Sequence, residues 1–285
     1  MKELDFINVI KNQIGDEFLG DDCAYLKELG IVISQDSLVE DVHFKRNWCT
    51  PFQLGYKSMA VNISDILAAG AEPAYATIAL SLPNDIDEEF IKEFYAGAKS
   101  ALYGAKIVGG DITGGKYIYI SIAAIGKTEG RRISSRSHAG VGYKVITRGN
   151  YGLSTGGLEA LINGENKEDL IRAHLEPKLD EEFAKDISVQ IKSDYAMMDT
   201  SDGLADALFK IAEASGVSIV VEEIEGIFGA EDYHLVAAVP EEFLTKLNDF
   251  YVVGDVIERQ GYILKIGEQE YKEYDELGLY NHFGE

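Results

Sequence analysis

Apolar residues recur at helical spacing near the start of the chain, where Leu4, Ile7, Val9 and Ile10 predict a short helix over 3–13. The run Ile31-Val32-Ile33 after Gly30 predicts a strand over 30–34. Pro51 opens a longer helical pattern to residue 67, carried by Leu54, Met59, Val61, Ile66 and Leu67 and closed by Gly70 and Pro73. Strands over 74–82, 106–108 and 116–122 and a helix over 87–103 complete the first half. Around 128–142 the composition turns to Arg, Ser and Gly, which marks a junction. Beyond it the pattern predicts a strand over 143–147, a glycine-rich turn over 149–157, and helices over 157–163, 166–174, 180–192 and 203–214. Met197-Met198 forms a buried approach to Asp199, strands follow near 217–222 and 233–239, and the tail adds a helix near 241–248 and strands near 251–258 and 261–266. Strands and helices alternate in both halves, so the expected fold is α/β (α+β) in two domains, 1–130 and 131–285.

Composition narrows the function. Of 285 residues, 46% are hydrophobic and 26% charged, as in an ordinary globular protein. No apolar run approaches the roughly 20 residues of a membrane helix, and the first residues carry no signal-peptide core. Two cysteines cannot build a disulfide framework, so a reduced, cytoplasmic enzyme is expected. The 49 acidic against 26 basic residues leave a net charge of −23, which argues against nucleic acid and anionic membranes as partners.

Some of that acidity sits where apolar sequence would be expected. Gly20-Asp21-Asp22, Ser34-Gln35-Asp36, Asn62-Ile63-Ser64-Asp65, Gly109-Gly110-Asp111 and Asp199-Thr200-Ser201-Asp202-Gly203 each set aspartate beside an apolar segment and a glycine or serine. Any one alone reads as a helix cap or turn. Asp65 does not, because Ile63, Ile66 and Leu67 flank it inside a helical pattern, and an isolated carboxylate there calls for a cation. Hard cations such as Mg²⁺ take carboxylate oxygens and leave positions open for phosphates, so several magnesium ions bridging phosphates are expected. Asp21, Asp36, Asp65 and Asp111 are expected to converge on one cleft.

Other phosphate chemistries fail on detail. Gly110–Lys116 matches G-x-x-x-x-G-K, but Tyr117 stands where Ser or Thr is needed and a strand follows instead of a helix. No protein-kinase glycine loop with its downstream partners is present. The five histidines are scattered and the cysteines lack zinc spacing.

In order, Gly20-Asp21-Asp22-Cys23-Ala24, Ser34-Gln35-Asp36-Ser37-Leu38-Val39, Val42-His43-Phe44, Gly55-Tyr56-Lys57 through Ser64-Asp65, Ala68 through Pro73 and Gly109 through Thr113 resemble the thiamine-monophosphate kinase family. That family lies in the superfamily of aminoimidazole ribonucleotide synthetase. The resemblance continues through Arg136-Ser137, Asp199 through Leu204, Glu231-Asp232-Tyr233 and Tyr280-Asn281-His282-Phe283. It implies an N-terminal domain that pairs with its copy in a homodimer and a C-terminal α/β domain closing over the nucleotide. It also implies transfer of phosphoryl from ATP to thiamine phosphate with magnesium. Carried over, Asp21, Ser34, Gln35, Asp36, Asp65, Asp111, Asp199 and Asp202 would be metal-site residues. Gly110, Asp111, Arg136, Ser201 and Tyr95 would meet ATP, and His43, Glu231 and Tyr280 the thiamine phosphate. Gln35 replaces a usual Thr, and Ala230 a usual Gly.

The chemistry agrees with this reading. A phosphate monoester is already anionic at neutral pH, so no general base is needed, and Asp65, Asp111 and Arg136 are the expected catalytic residues. The alternatives are another ATP-using synthetase of the superfamily, or a nucleotide-binding relative without catalysis. The first lacks its expected reactive cysteines, and the second would have lost metal aspartates that are all present.

Overall fold

The computed structural model describes residues 3–279. After the helix α1 (Glu3–Ile14), a first sheet forms from β1 (Ala24–Leu26), β2 (Ile31–Val39), β3 (Glu72–Leu82), β4 (Lys106–Gly114) and β5 (Tyr119–Lys127). Its order is β1-β2-β5-β3-β4, with β3 and β4 parallel and the other neighbours antiparallel. The helices α2 (Pro51–Ala68) and α3 (Glu88–Ser100) cover it, α2 lying directly on β2 and β5.

A second sheet of seven strands occupies the other half: β6 (Tyr143–Thr147), β7 (Ala196–Asp199), β8 (Ser218–Val221), β9 (Leu235–Pro240), β10 (Tyr251–Ile257), β11 (Leu264–Ile266) and β12 (Gln269–Tyr271). They run in the order β12-β11-β8-β10-β6-β9-β7. The helices α4 (Leu153–Asn163), α5 (Glu168–Leu175), α6 (Glu181–Gln190) and α7 (Leu204–Ala214) flank it.

The two halves share one core. Side chains alternate across a strand, and β9, buried along its whole length, uses both directions. Leu235, Ala237 and Val239 enter a core that also holds Met59, Ile63, Ile78 and Ile120 of the first half. Val236 and Ala238 enter a second core built around Leu204, Leu208 and Phe209 of α7. Met197 and Met198 of β7 divide in the same way. The second sheet is therefore a wall with α2 on one side and α7 on the other.

Helix α2 is the axis of this arrangement. Thr50 caps it and forms a capping box with Gln53, and Pro51 takes the first turn, where a missing N–H costs nothing. It meets α3 through glycines. A Cβ on Gly55 would lie 1.9 Å from the Phe94 carbonyl oxygen, and one on Gly97 would lie 1.8 Å from that of Phe52. Backbone-to-backbone contact of this kind excludes any side chain.

Most elements fall where the apolar pattern put them, and the departures share a cause. β2 runs five residues past the expected end, to Val39, and β4 runs to Gly114, so Asp36 and Gly109-Gly110-Asp111 lie within strands. Both extensions are polar or glycine-rich because they serve an edge or a ligand-facing surface, so no apolar run announces them. β1 and β12, three residues each, are too short to carry a period. The segment near 241–248 is a 3₁₀ helix, Glu241–Lys246. Helix α4 begins at Leu153, inside the expected glycine-rich turn, because Gly152 supplies a left-handed residue with φ 83° just before it.

Candidate active site

The last turns of α2 organise the site. The Asn62 amide donates to Ser58 O at 2.9 Å, and its Oδ1 accepts from the backbone N–H of Asp36 at 2.9 Å, pinning β2 to the helix. The Ser34 hydroxyl donates to Asp65 Oδ2 from the neighbouring strand. On the opposite side Ser64 Oγ donates to Asp199 Oδ2 at 2.6 Å, joining α2 to the end of β7. Cys23 Sγ donates to the Asp65 carbonyl oxygen at 3.3 Å and holds the loop that carries Asp22.

These contacts converge three carboxylates. One oxygen each of Asp22, Asp65 and Asp199 lies within 4.8 Å of the others. Asp199 is only 1% exposed, and the cation seen on the group is Arg136, whose Nη2 lies 2.8 Å from Asp22 Oδ1. Burial, then Asp36, Asp199 and Asp22, push Asp65 well above the usual carboxylate range, against the Ser34 hydrogen bond. Asp199 is pushed up to about 7, by burial first and Asp22 next. Asp36 reaches solvent at the mouth yet stands in a dense surround; desolvation, then Asp22 and Asp202, push it up to about 6.

Raised pKa values in clustered carboxylates mean like charges without enough compensation. All-oxygen donors at this spacing suit a hard divalent cation, and the short hydroxyls of Ser34 and Ser64 orient the carboxylates instead of neutralising them. The residues present fit magnesium.

Other expected site residues line the rim. Asp21 is exposed and is not one of the three clustered carboxylates: its Oδ1 accepts from Arg136 N at 2.7 Å and from Ser135 Oγ at 3.2 Å. Its neighbour Asp22 supplies the inner carboxylate, which the Asp-Asp pair alone did not distinguish. Ser201 donates its N–H to Asp199 Oδ1 at 3.4 Å, and its carbonyl accepts from Glu231 N at 2.7 Å. Asp202 is exposed, with Lys210 Nζ at 3.3 Å.

Glu231 and His43 form a second group. Glu231 carries a left-handed backbone, φ 62°, and its Oε1 lies 3.3 Å from Lys57 Nζ. Lys57, then His174 and His43, hold its carboxyl below the usual range despite burial. His43 Nδ1 accepts from Val39 N at 3.1 Å. Lys57 went unread in the sequence, since lysine in an apolar helix passes for a solvent-facing residue; here it is 3% exposed.

Four residues stand apart from the cluster within one chain. Asp111 shares a register row with Ala79, Ser121 and Ser37, whereas Asp36 shares its row with Ile122, Ile78 and Gly110. Adjacent rows face opposite sides of a sheet, so Asp111 faces away from α2. It also lies three strands from β2, about 14 Å at the usual strand spacing. Gln35 turns the same way and donates to Ser121 Oγ at 3.0 Å. Gly110 sits on the outer strand β4, and Tyr95 packs edge-on against Phe94 at 5.7 Å. Tyr280 lies outside the described residues.

Two α/β halves around a carboxylate cluster define a class that comparison identifies. Residues 20–128 match the family of AIR synthase related proteins, N-terminal domain. Thiamine-monophosphate kinase of Aquifex aeolicus is 32% identical over 91% of this chain and 92% of its own length. That of Bacillus subtilis is 32% identical over 85% of each chain. The solved structure of AaThiL complexed with AMPPCP and TMP superposes with a TM-score of 0.87 at 30% identity, covering 99% of this chain and 97% of that one. The chain belongs to the thiamine-monophosphate kinase family.

Proposed function

We infer that this chain transfers the γ-phosphoryl group of ATP to thiamine phosphate, giving ADP and thiamine diphosphate. The observation that carries the reading is the Asp22–Asp65–Asp199 cluster, in a chain whose relatives are thiamine-monophosphate kinases along most of its length. The solved relative complexed with AMPPCP, whose β–γ bridge is carbon, and TMP supports ATP as phosphoryl donor and thiamine phosphate as acceptor.

Asp22, Asp36, Asp65, Asp199 and Asp202 would hold magnesium, with Ser34 fixing Asp65 and Asp21 setting the backbone of Arg136. Bound magnesium supplies charge neutralisation between two polyanionic phosphates. The acceptor phosphate is already ionised, so no side chain needs to remove a proton. Arg136 then has two tasks: it offsets Asp22 in the resting site and meets the charge of the transferred group. Its Nε is buried with no hydrogen-bond partner among the described residues. Ser201, beside Asp202, would reach ATP, and Tyr95 and Gly110 belong to the same nucleotide assignment. His43 and Glu231, brought near one another, would meet the acceptor.

Gln35 and Asp111 enter this reading through a second copy. The outward face of the first sheet carries Tyr75 and Tyr119, each 40% exposed. A homodimer across this face would cover them and bring Gln35 and Asp111 to the interface. Residues 1–130 would then form the metal, ATP and dimerisation domain, and 131–285 the domain closing over the nucleotide. No helix among the described residues is long and apolar enough to cross a membrane, and a cytoplasmic location is part of the same reading.

Purified protein given ATP, Mg²⁺ and thiamine phosphate should form thiamine diphosphate and ADP in equal amounts, and EDTA should stop it. ADP without thiamine diphosphate would overturn the reading.

A further inference from the structure

Lys57 is a buried cation with two partners on different elements. Its Nζ lies 3.3 Å from Glu231 Oε1 and 3.3 Å from His174 Nε2, on α5. An ammonium donates only, so Nε2 of His174 must accept and the ring proton must sit on Nδ1. That Nδ1 has Ser154 Oγ at 3.0 Å and Glu231 Oε2 at 3.5 Å. Burial, then Lys57, lowers His174 to about 4, so the ring is neutral near pH 7. The network is one cation, one anion and one neutral imidazole of defined tautomer, closed on both carboxylate oxygens of Glu231.

The segment carrying Glu231 is held in an unfavourable shape. Glu231 and Tyr233 are both left-handed, at φ 62° and 54°. Between them Asp232 accepts from Gly152 N at 2.7 Å and Ser154 N at 2.9 Å, at the start of α4. A non-glycine left-handed residue is strained and persists where surrounding contacts over-determine it. Lys57 and His174 provide that determination for the Glu231 side chain, which stays 26% exposed. Each carboxylate oxygen has a lone pair left to accept from a ligand N–H.

We propose that Lys57, with His174 as its acceptor, is a positioning residue that fixes the Glu231 carboxylate to receive the amino-substituted, cationic ring system of the acceptor. This rests on the assignment of Glu231 to the acceptor made above. It gives α2 a second role: Lys57 and Asp65 stand about 12 Å apart along one rigid helix, so the acceptor contact and the metal cluster share a single reference frame.

The test is the split between the two substrates. Lys57→Met should raise KM for thiamine phosphate by about tenfold or more, as removal of a buried charge partner does. KM for ATP should change by less than about twofold, because that site gains and loses no contact. The stabilisation of the melting midpoint by Mg²⁺ should be unchanged. Glu231→Gln should show the same split, and the double variant should be no worse than the worse single, since both remove one interaction. Lys57→Arg, which keeps the charge, should recover part of the loss. Equal rises in both KM values, or additive losses in the double variant, would overturn the proposal. Should Glu231→Gln leave KM for thiamine phosphate unchanged, the acceptor assignment itself falls, and the proposal with it. If Lys57→Met does not fold, His174→Gln carries the same expectation at smaller size, and its failure to separate the two KM values overturns it equally.

Discussion

The two ends of the buried stretch of α2 solve the same problem in opposite ways. Near its C-terminal end, Asp65 meets Asp22 and Asp199 with Arg136 as countercharge, and burial among like charges drives the pKa values up. Two turns earlier, Glu231 is also largely withdrawn from water, yet Lys57, foremost among its neighbours, holds its carboxyl below the ordinary range. Desolvation acts on both carboxylate sites alike, so the neighbours decide the direction. A carboxylate whose cation is built into the chain is finished as a structural and positioning element. One whose pKa is raised has a charge balance that a cation from solution would complete. A cation site is expected where the charge balance is incomplete, and stability is given up there.

The sharpest way to break the contrast is Asp65→Asn. An amide is a poor substitute for a bridging carboxylate, so phosphoryl transfer should fall by about 10³-fold or more, as losing a principal electrostatic element of a transition state does. In EDTA the variant should melt no lower than the parent, because one repelling charge is gone. Added Mg²⁺ should raise the parent midpoint more than the variant's. A lower midpoint in EDTA with activity retained would make Asp65 a structural residue and remove the distinction between the two ends.

Arg136→Met comes next. The turnover number should fall by about 10²-fold, the scale for loss of one charge-stabilising donor. KM for thiamine phosphate should hold, since the contacts of Arg136 are with Asp21 and Asp22 at the metal end. A change confined to KM would move Arg136 to the acceptor side.

The smallest effect is on stability against pH, where the two ends should have opposite signs. Burial and then Asp22 push Asp199 of the metal-free folded chain up to about 7 from an ordinary 3.8. Between these pH values the folded state keeps a proton the unfolded state has lost, so this group makes stability fall as pH rises from about 4 to 7. His174 titrates near 4 against 6.5, so its contribution is present above the unfolded value and is lost as pH falls through this window. Melting midpoints in EDTA from pH 4.5 to 7.5 should therefore respond oppositely to two variants. Asp199→Asn should remove a decline toward high pH, and His174→Gln a decline toward low pH. If both variants tilt the profile the same way, the two ends do not differ as described.

The sequence alone was sufficient for α2 and for most strands, because burial on one side of a helix or strand imposes a period that apolar residues must follow. It was sufficient also for the idea of a carboxylate cluster, since Asp65 inside an apolar helix has few physical explanations. The family was legible in the ordered motifs from Gly20 to Asp202, whose spacing no single cap or turn would demand. Tertiary structure alone decided which acid of Asp21-Asp22 turns inward, because adjacent residues in a turn carry identical chemistry and only the loop's seat on Cys23 and Arg136 separates them. It decided that Gln35 and Asp111 face away from Asp36, because facing is set by strand register, which depends on partners far along the chain. It decided the role of Lys57 as well. A lone lysine has no periodic signature, and its anion, Glu231, and its acceptor, His174, come from segments more than a hundred residues away that only packing brings to α2.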